Sequence, residues 1–202
     1  MVNPNLDAQY PVLFAISGNG GHAVVGDGYG YDGYGPDDST MYHHLNMGWS
    51  GQDDLWYNLP FINTSLGTYR TVCQCIYNVY TSGTGEIISG RVTDANGNPL
   101  SGVTVTATAE GQTYPAMQKD VMAPTTSSGV YAIPKVPANT TFTVTASKPG
   151  YTFTPRSVQT GASVTAQYKF ISSTVTGNKW GIDFVAARPI VRITGLLPLL
   201  LD

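Results

Sequence analysis

The sequence predicts an all-β protein in two parts. Three observations carry that reading. Short runs rich in Tyr, Val and Thr alternate with turns made of Gly, Pro, Asn and Ser, which favours pleated strands over helices. Residues 103–108 alternate strictly, with Val103, Val105 and Ala107 against Thr104, Thr106 and Thr108, the pattern of a strand with one face buried. The composition also changes across Thr81–Gly85: all three His precede this stretch, and a His-free, Thr/Val-rich segment follows it.

Before the Ser/Thr/Gly stretch, strands are expected at 22–27, 41–46, 55–59 and 71–80, with a Gly/Tyr/Asp loop over 28–38. Along 72–80 neither alternating set is fully polar, which predicts a strand covered on both sides. After that stretch, strands are expected at 88–94, 103–108, 129–133, 141–147, 164–170 and 180–187. Asp94 to Pro99 reads as a turn centred on Asn96-Gly97. Short strands punctuated by turns at this spacing argue a β-sandwich. The predicted organisation is 1–82, 83–187 and an apolar tail at 188–202, with no internal repeat and no sustained helical period.

Only 11% of residues are charged and the net charge is −3, so no basic patch exists to hold nucleic acid. The first residues lack a basic stretch followed by a long apolar one, so they are not a signal peptide, and the chain is expected to be the mature remainder of a longer product or a fragment. The apolar run at 195–202 is too short for a membrane span and contains Pro198. Cys73 and Cys75 sit two apart on one predicted strand, so they share a face and read as buried small residues rather than a disulfide.

The segment Gly21-His22-Ala23-Val24-Val25-Gly26-Asp27-Gly28-Tyr29 is followed by Tyr42-His43-His44-Leu45-Asn46-Met47-Gly48-Trp49-Ser50-Gly51 and then Asp54-Leu55-Trp56-Tyr57-Asn58-Leu59. In order, spacing and residue type, these blocks resemble the C-terminal, His-bearing half of streptopain-type cysteine peptidases of the papain-like clan. The resemblance implies a partial papain-like antiparallel sheet. It makes His22 the imidazole that ionises a thiol and Trp49 the indole shielding it, with Asn46 conspicuous beside them. Met47 stands where the family has an aromatic side chain. The family's nucleophilic Cys lies well before the His, and residues 1–21 contain none. By itself the chain therefore has no nucleophile.

Ser89-Gly90-Arg91-Val92-Thr93-Asp94 with Val103-Thr104-Val105, Lys148-Pro149-Gly150-Tyr151 and Trp180-Gly181-Ile182-Asp183-Phe184 resembles carboxypeptidase-regulatory-like and Cna-B-type Ig-like modules of bacterial surface proteins. Such modules are spacers or adhesive units. The resemblance implies a secreted or cell-surface prokaryotic protein and, since the first strand lacks Lys, no isopeptide crosslink.

Two functions follow. The first is a non-catalytic structural, filament-forming or adhesive protein that self-associates through its apolar tail and an open sheet edge. The second is one half of a cysteine endopeptidase whose Cys-bearing half lies elsewhere. A third reading takes Tyr29, Tyr31, Tyr34 and Trp56 as carbohydrate-stacking platforms. No cofactor is expected, and no metal: a zinc site from His22, His43 and Asp27 lacks the usual spacing, and Asp27, Asp32, Asp37 and Asp38 do not follow the EF-hand pattern for calcium. Adjacent His43 and His44 should face opposite sides of their strand. Asn63 and Asn139 lie in N-glycosylation sequons.

Overall fold

The computed structural model describes residues 2–32, 40–118, 121–163 and 177–188. The chain opens on a short helix, α1 (Asn3–Asp7), with Pro4 in its first turn. A sheet follows, built from β1 (Val12–Gly18), β2 (Gly21–Asp32), β3 (Thr40–Asn46), β4 (Leu55–Tyr57), β5 (Ile62–Thr64) and β6 (Gly67–Ile76). Its six strands run in the order β4-β3-β2-β1-β6-β5, and every pairing is antiparallel. The two edges, β4 and β5, are consecutive in sequence, so the sheet curls until it nearly closes. Both edges are only three residues long, which leaves little unpaired backbone.

Val12, Phe14, Ile16, Val24, Leu45, Met47, Tyr57, Ile62 and Tyr69 fill the interior of this sheet. The other face is open to solvent among the described residues. The 71–80 segment therefore departs from expectation: it is not covered on both sides. Gln74 and Ile76 are exposed while Val72 and Cys75 pack inward. The strand also starts earlier and ends earlier than predicted, and the 55–59 strand stops at Tyr57.

β1 and α1 were not expected. In β1 both faces carry apolar residues, which hides the period of two. In α1, Asn3, Asn5 and Asp7 read as loop chemistry, yet all three are buried. Buried polar groups persist when hydrogen-bonded, and these are. Asn3 Oδ1 lies 3.0 Å from His43 Nε2, and Asn5 Oδ1 accepts the Asn78 N–H at 2.7 Å.

The second part begins with β7 (Glu86–Thr93), β8 (Thr104–Ala109) and β9 (Gln112–Pro115). A two-residue hairpin, β10 (Met117–Gln118) and β11 (Val121–Met122), precedes β12 (Val130–Val136), β13 (Thr141–Ser147), β14 (Arg156–Gln159) and β15 (Phe184–Val185). The sheet β12-β7-β15 faces the sheet β14-β13-β8-β9 around Ile88, Val92, Val105, Tyr131, Ile133, Phe142 and Val144. The alternation in β8 follows the expected pattern, with Val105 and Ala107 buried. The 180–187 strand is reduced to β15, which pairs parallel to β7, plus isolated bridges. The expected 164–170 strand and the tail beyond Arg188 lie outside the described residues.

β7 is buried along nearly its whole length because each of its faces has a different partner. Ile88 and Val92 point into the sandwich. Ile87 joins Ala132 against Ala8 and Tyr10 of the first part, with Tyr80 alongside. The two parts are thus packed together, with polar bonds around that contact. Asn78 and Asn178 exchange a reciprocal amide pair at 3.1 and 2.9 Å, and Asn178 Oδ1 also accepts the Ile87 N–H. Asp7 receives Tyr29 O–H on one oxygen and Ser89 O–H on the other, each at 2.7 Å.

Candidate active site

His22 lies near the start of β2, opposite Ile16 of β1, and its ring points to the interior side of the sheet near one end. Trp49 comes from the tight segment after β3. Gly48, Ser50, Gly51 and Asp53 all take positive φ there, a sharp turn that glycine adopts without penalty. The turn is held by its own side chains. Asn46 Oδ1 accepts Gly48 N–H at 2.9 Å, Asp54 Oδ1 accepts Met47 N–H at 2.6 Å, and Asp53 Oδ2 accepts both N–H and O–H of Ser65.

This turn delivers two contacts to His22. The Trp49 indole stacks on the imidazole with centroids 4.8 Å apart and planes 20° apart. Met47 carbonyl oxygen lies 2.8 Å from His22 Nε2. A carbonyl can only accept, so Nε2 must carry the proton. In neutral His22 the basic lone pair is then on Nδ1. This is how a base is oriented: one nitrogen is tied down, and the other is left to take a proton.

The sequence-predicted set is partly assembled. His22 and Trp49 meet. Asn46 is exposed, and its Oδ1 accepts the Gly48 N–H of the turn. The Met47 side chain fills the core instead of making a wall, and its main chain supplies the hydrogen bond expected of a third residue. That function is invisible in the sequence because a carbonyl belongs to every residue. Asp54, which holds the N–H of the same residue, also goes unread as a site residue; nothing in its spacing marks it.

Neither cysteine reaches His22. The register runs His22 to Ile16 to Val72, which puts β6 two strands away, roughly 10 Å at ordinary strand spacing. Burial pushes the Cys75 thiol up to about 12, so it is protonated at neutral pH. In a Cys73→Ser variant, alkylation of Cys75 by iodoacetamide at pH 8 should run about a thousandfold slower than that of a free cysteine, because the thiolate is the reacting form. A rate equal to that of a free thiol would contradict this environment.

His43 and His44 do face opposite sides. His43 is buried against Asn3, and burial lowers its pKa, keeping it neutral. His44 Nδ1 lies 2.6 Å from Asp27 Oδ1 on the outer face. His22, His43 and Asp27 therefore each have a different partner and do not converge, and among the described residues no group of His, Cys, Asp and Glu could hold a metal ion. Asp37 and Asp38 lie outside the described residues. Asn63 and Asn139 are both exposed.

Comparison with known proteins agrees with this architecture. Residues 1–57 match the Peptidase C10 family and residues 87–174 match the carboxypeptidase regulatory-like domain. The chain is 35% identical over 107 residues to chitinase ChiA of Flavobacterium johnsoniae, a match covering 53% of this chain and 5% of that protein. No solved structure matches the chain. No helix among the described residues is long and apolar enough to cross a membrane. The chain carries a Peptidase C10, or streptopain, family region at residues 1–57, followed by a carboxypeptidase regulatory-like domain at residues 87–174.

Proposed function

We propose that the first part furnishes the imidazole side of a cysteine-peptidase centre, whose thiol comes from polypeptide other than these 202 residues. The carrying observation is the His22 geometry: Nε2 tied to the Met47 carbonyl, the ring stacked on Trp49, and Nδ1 left as the base. Of the two functions weighed from the sequence, this favours the peptidase half, since the absence of an aromatic at 47 no longer counts against His22. The contact needs only a main-chain carbonyl.

In the reaction, Nδ1 takes the thiol proton, and the thiolate attacks the peptide carbonyl. The imidazolium returns the proton to the departing amine, leaving a thioester. Water then adds to the thioester with His22 again as base, releasing the acid and restoring the thiol. The regulatory-like domain acts as a non-catalytic module fixed to this half. The partial likeness to a bacterial chitinase supports a prokaryotic source for the chain.

The test is to isolate the native particle, count its chains by mass spectrometry and treat it with an epoxide inhibitor of cysteine peptidases. A labelled cysteine outside these residues is expected, with labelling about a thousandfold slower in His22→Ala. A particle holding many copies of this chain alone, and taking no label, would overturn the reading in favour of a self-associating scaffold. Observations favouring that second reading are the apolar tail and the exposed cross-strand row of Val25, Leu13 and Ile76.

A further inference from the structure

The face of the first sheet opposite His22 carries an aromatic surface that the peptidase chemistry does not use. Its centre is Trp56, the middle residue of edge strand β4, with 53% of its surface exposed. Trp56 pairs with His44 of β3, which in turn pairs with Gly28 of β2, so the three form one cross-strand row. The indole extends along that row and over β3. A Cβ placed on Gly28 would lie 3.4 Å from indole Cη2, and one on Gly30 would lie 3.5 Å from Cζ3. These are contact distances, so the ring edge rests on a stretch of β2 that glycines have left bare. An alanine Cβ would just touch the ring at either position, and a side chain reaching beyond Cβ would compete with it for that space.

Polar groups border the ring. His44 packs beside it with centroids 5.3 Å apart and holds Asp27, whose side chain is 47% exposed. Tyr42 is paired with Gly30, the second glycine under the indole. Asp32, at the end of β2, accepts the Thr40 N–H at 2.8 Å. Tyr29, the other aromatic raised by the sequence, has no part in this surface: its hydroxyl is committed to Asp7 on the interior side. Tyr31 pairs with Met41, one residue out of step with the Trp56 row, and also faces the interior side. Tyr34 lies outside the described residues.

We infer that Trp56, with Asp27, His44 and Tyr42 around it, is a binding site for a neutral oligosaccharide. A pyranose ring has one face of C–H groups and a rim of hydroxyls. The first suits an exposed, immobilised indole, and the second suits carboxylate acceptors and an imidazole at the border. The sign of the border selects the ligand. Asp27 and Asp32 favour hydroxyl donors and repel carboxylated or sulfated sugars. The site is separate from the His22 centre, on the other side of the sheet, so it stands whether or not the peptidase reading does.

Tryptophan fluorescence and calorimetric titration of the full chain test this, using cellohexaose and N-acetylchitohexaose as neutral probes and hexagalacturonate as the acidic one. Saturable binding of a neutral probe is expected. Trp56→Ala should weaken it at least about tenfold, as truncating a central aromatic anchor does. Trp56→Phe should keep most of the affinity, which separates loss of stacking from loss of fold. Failure of both neutral probes to bind, unchanged affinity in Trp56→Ala, or preference for the acidic probe would each overturn the proposal.

Discussion

Replacing Asp7 with alanine is expected to destabilise the chain by about 2–3 kcal/mol, because two hydroxyls lose the carboxyl that accepts from them in a buried place. Ser89 is fully buried on β7, and Tyr29 is half-buried on β2. Both donate to this one carboxyl from opposite sides of the contact between the two parts. The loss should therefore show as weakened packing of α1 against β7, read as faster hydrogen exchange at both elements.

Asp7 also makes stability depend on pH. Burial raises its pKa from 3.8 to about 6, and the nearby Asp183 adds to the rise; the hydrogen bonds from Tyr29, Ser89 and Trp180 oppose it without cancelling it. Tyr31, from β2, faces the same carboxyl. Between the unfolded and folded values, the folded chain holds a proton that the unfolded chain has released. Unfolding free energy therefore falls as pH rises from about 4 to about 6, and this contribution is flat above that window. The total is about 3 kcal/mol at ~1.4 kcal/mol per pH unit. Asp7→Asn keeps an acceptor and cannot ionise, so it should remove this slope and equal or exceed the native chain in stability at pH 7. Urea titrations at pH 4, 5, 6 and 7 check both statements. A native slope of the opposite sign, or one that persists in Asp7→Asn, would contradict them.

Gly90→Ala is the second large effect, expected to cost at least about 3 kcal/mol. Gly90 is in the middle of β7, and a Cβ there would collide with the backbone of Ile182, its carbonyl carbon only 2.6 Å away. Backbone, unlike a side-chain tip, cannot step aside cheaply. The 179–186 segment is laced to β7 by Ser89 N–H to Lys179 oxygen at 2.8 Å, Ile182 N–H to Ser89 oxygen at 3.0 Å and Ala186 N–H to Thr93 oxygen at 2.8 Å. Tyr131 donates its hydroxyl to the Ile182 oxygen as well. Moving the segment strains all four bonds and lifts Phe184 from the sandwich core. Gly20→Ala is the contrast: a Cβ there meets nothing within 4 Å, so stability should change by no more than about 0.5 kcal/mol. Thermal melts of the two variants give the comparison, and equal melting temperatures would refute the collision argument.

The residues differ in how much of this could be read without coordinates. Strand periodicity is local, so β8, with Val105 and Ala107 inward, and the opposite sides taken by His43 and His44 were legible from neighbouring residues. The Asn96-Gly97 turn was legible too, because positive φ at Gly97 and capping by Asp94 involve only a few consecutive positions. The pairing of His22 with Trp49 came through the resemblance, which preserves spacing. What remained hidden depends on partners far apart in sequence. Nothing near Asp7 announces Ser89, which lies 82 residues on. Nothing near Gly90 announces Ile182, and nothing in a methionine announces that its carbonyl orients a histidine. By itself the sequence determined the all-β class, the two modules and the candidate imidazole. Tertiary structure alone decided which buried polar groups are satisfied, which glycines carry a neighbouring backbone and which nitrogen of His22 is the base. The reason is that burial pattern is written in each strand's own period, whereas a hydrogen-bond partner exists only once the chain has brought distant segments together.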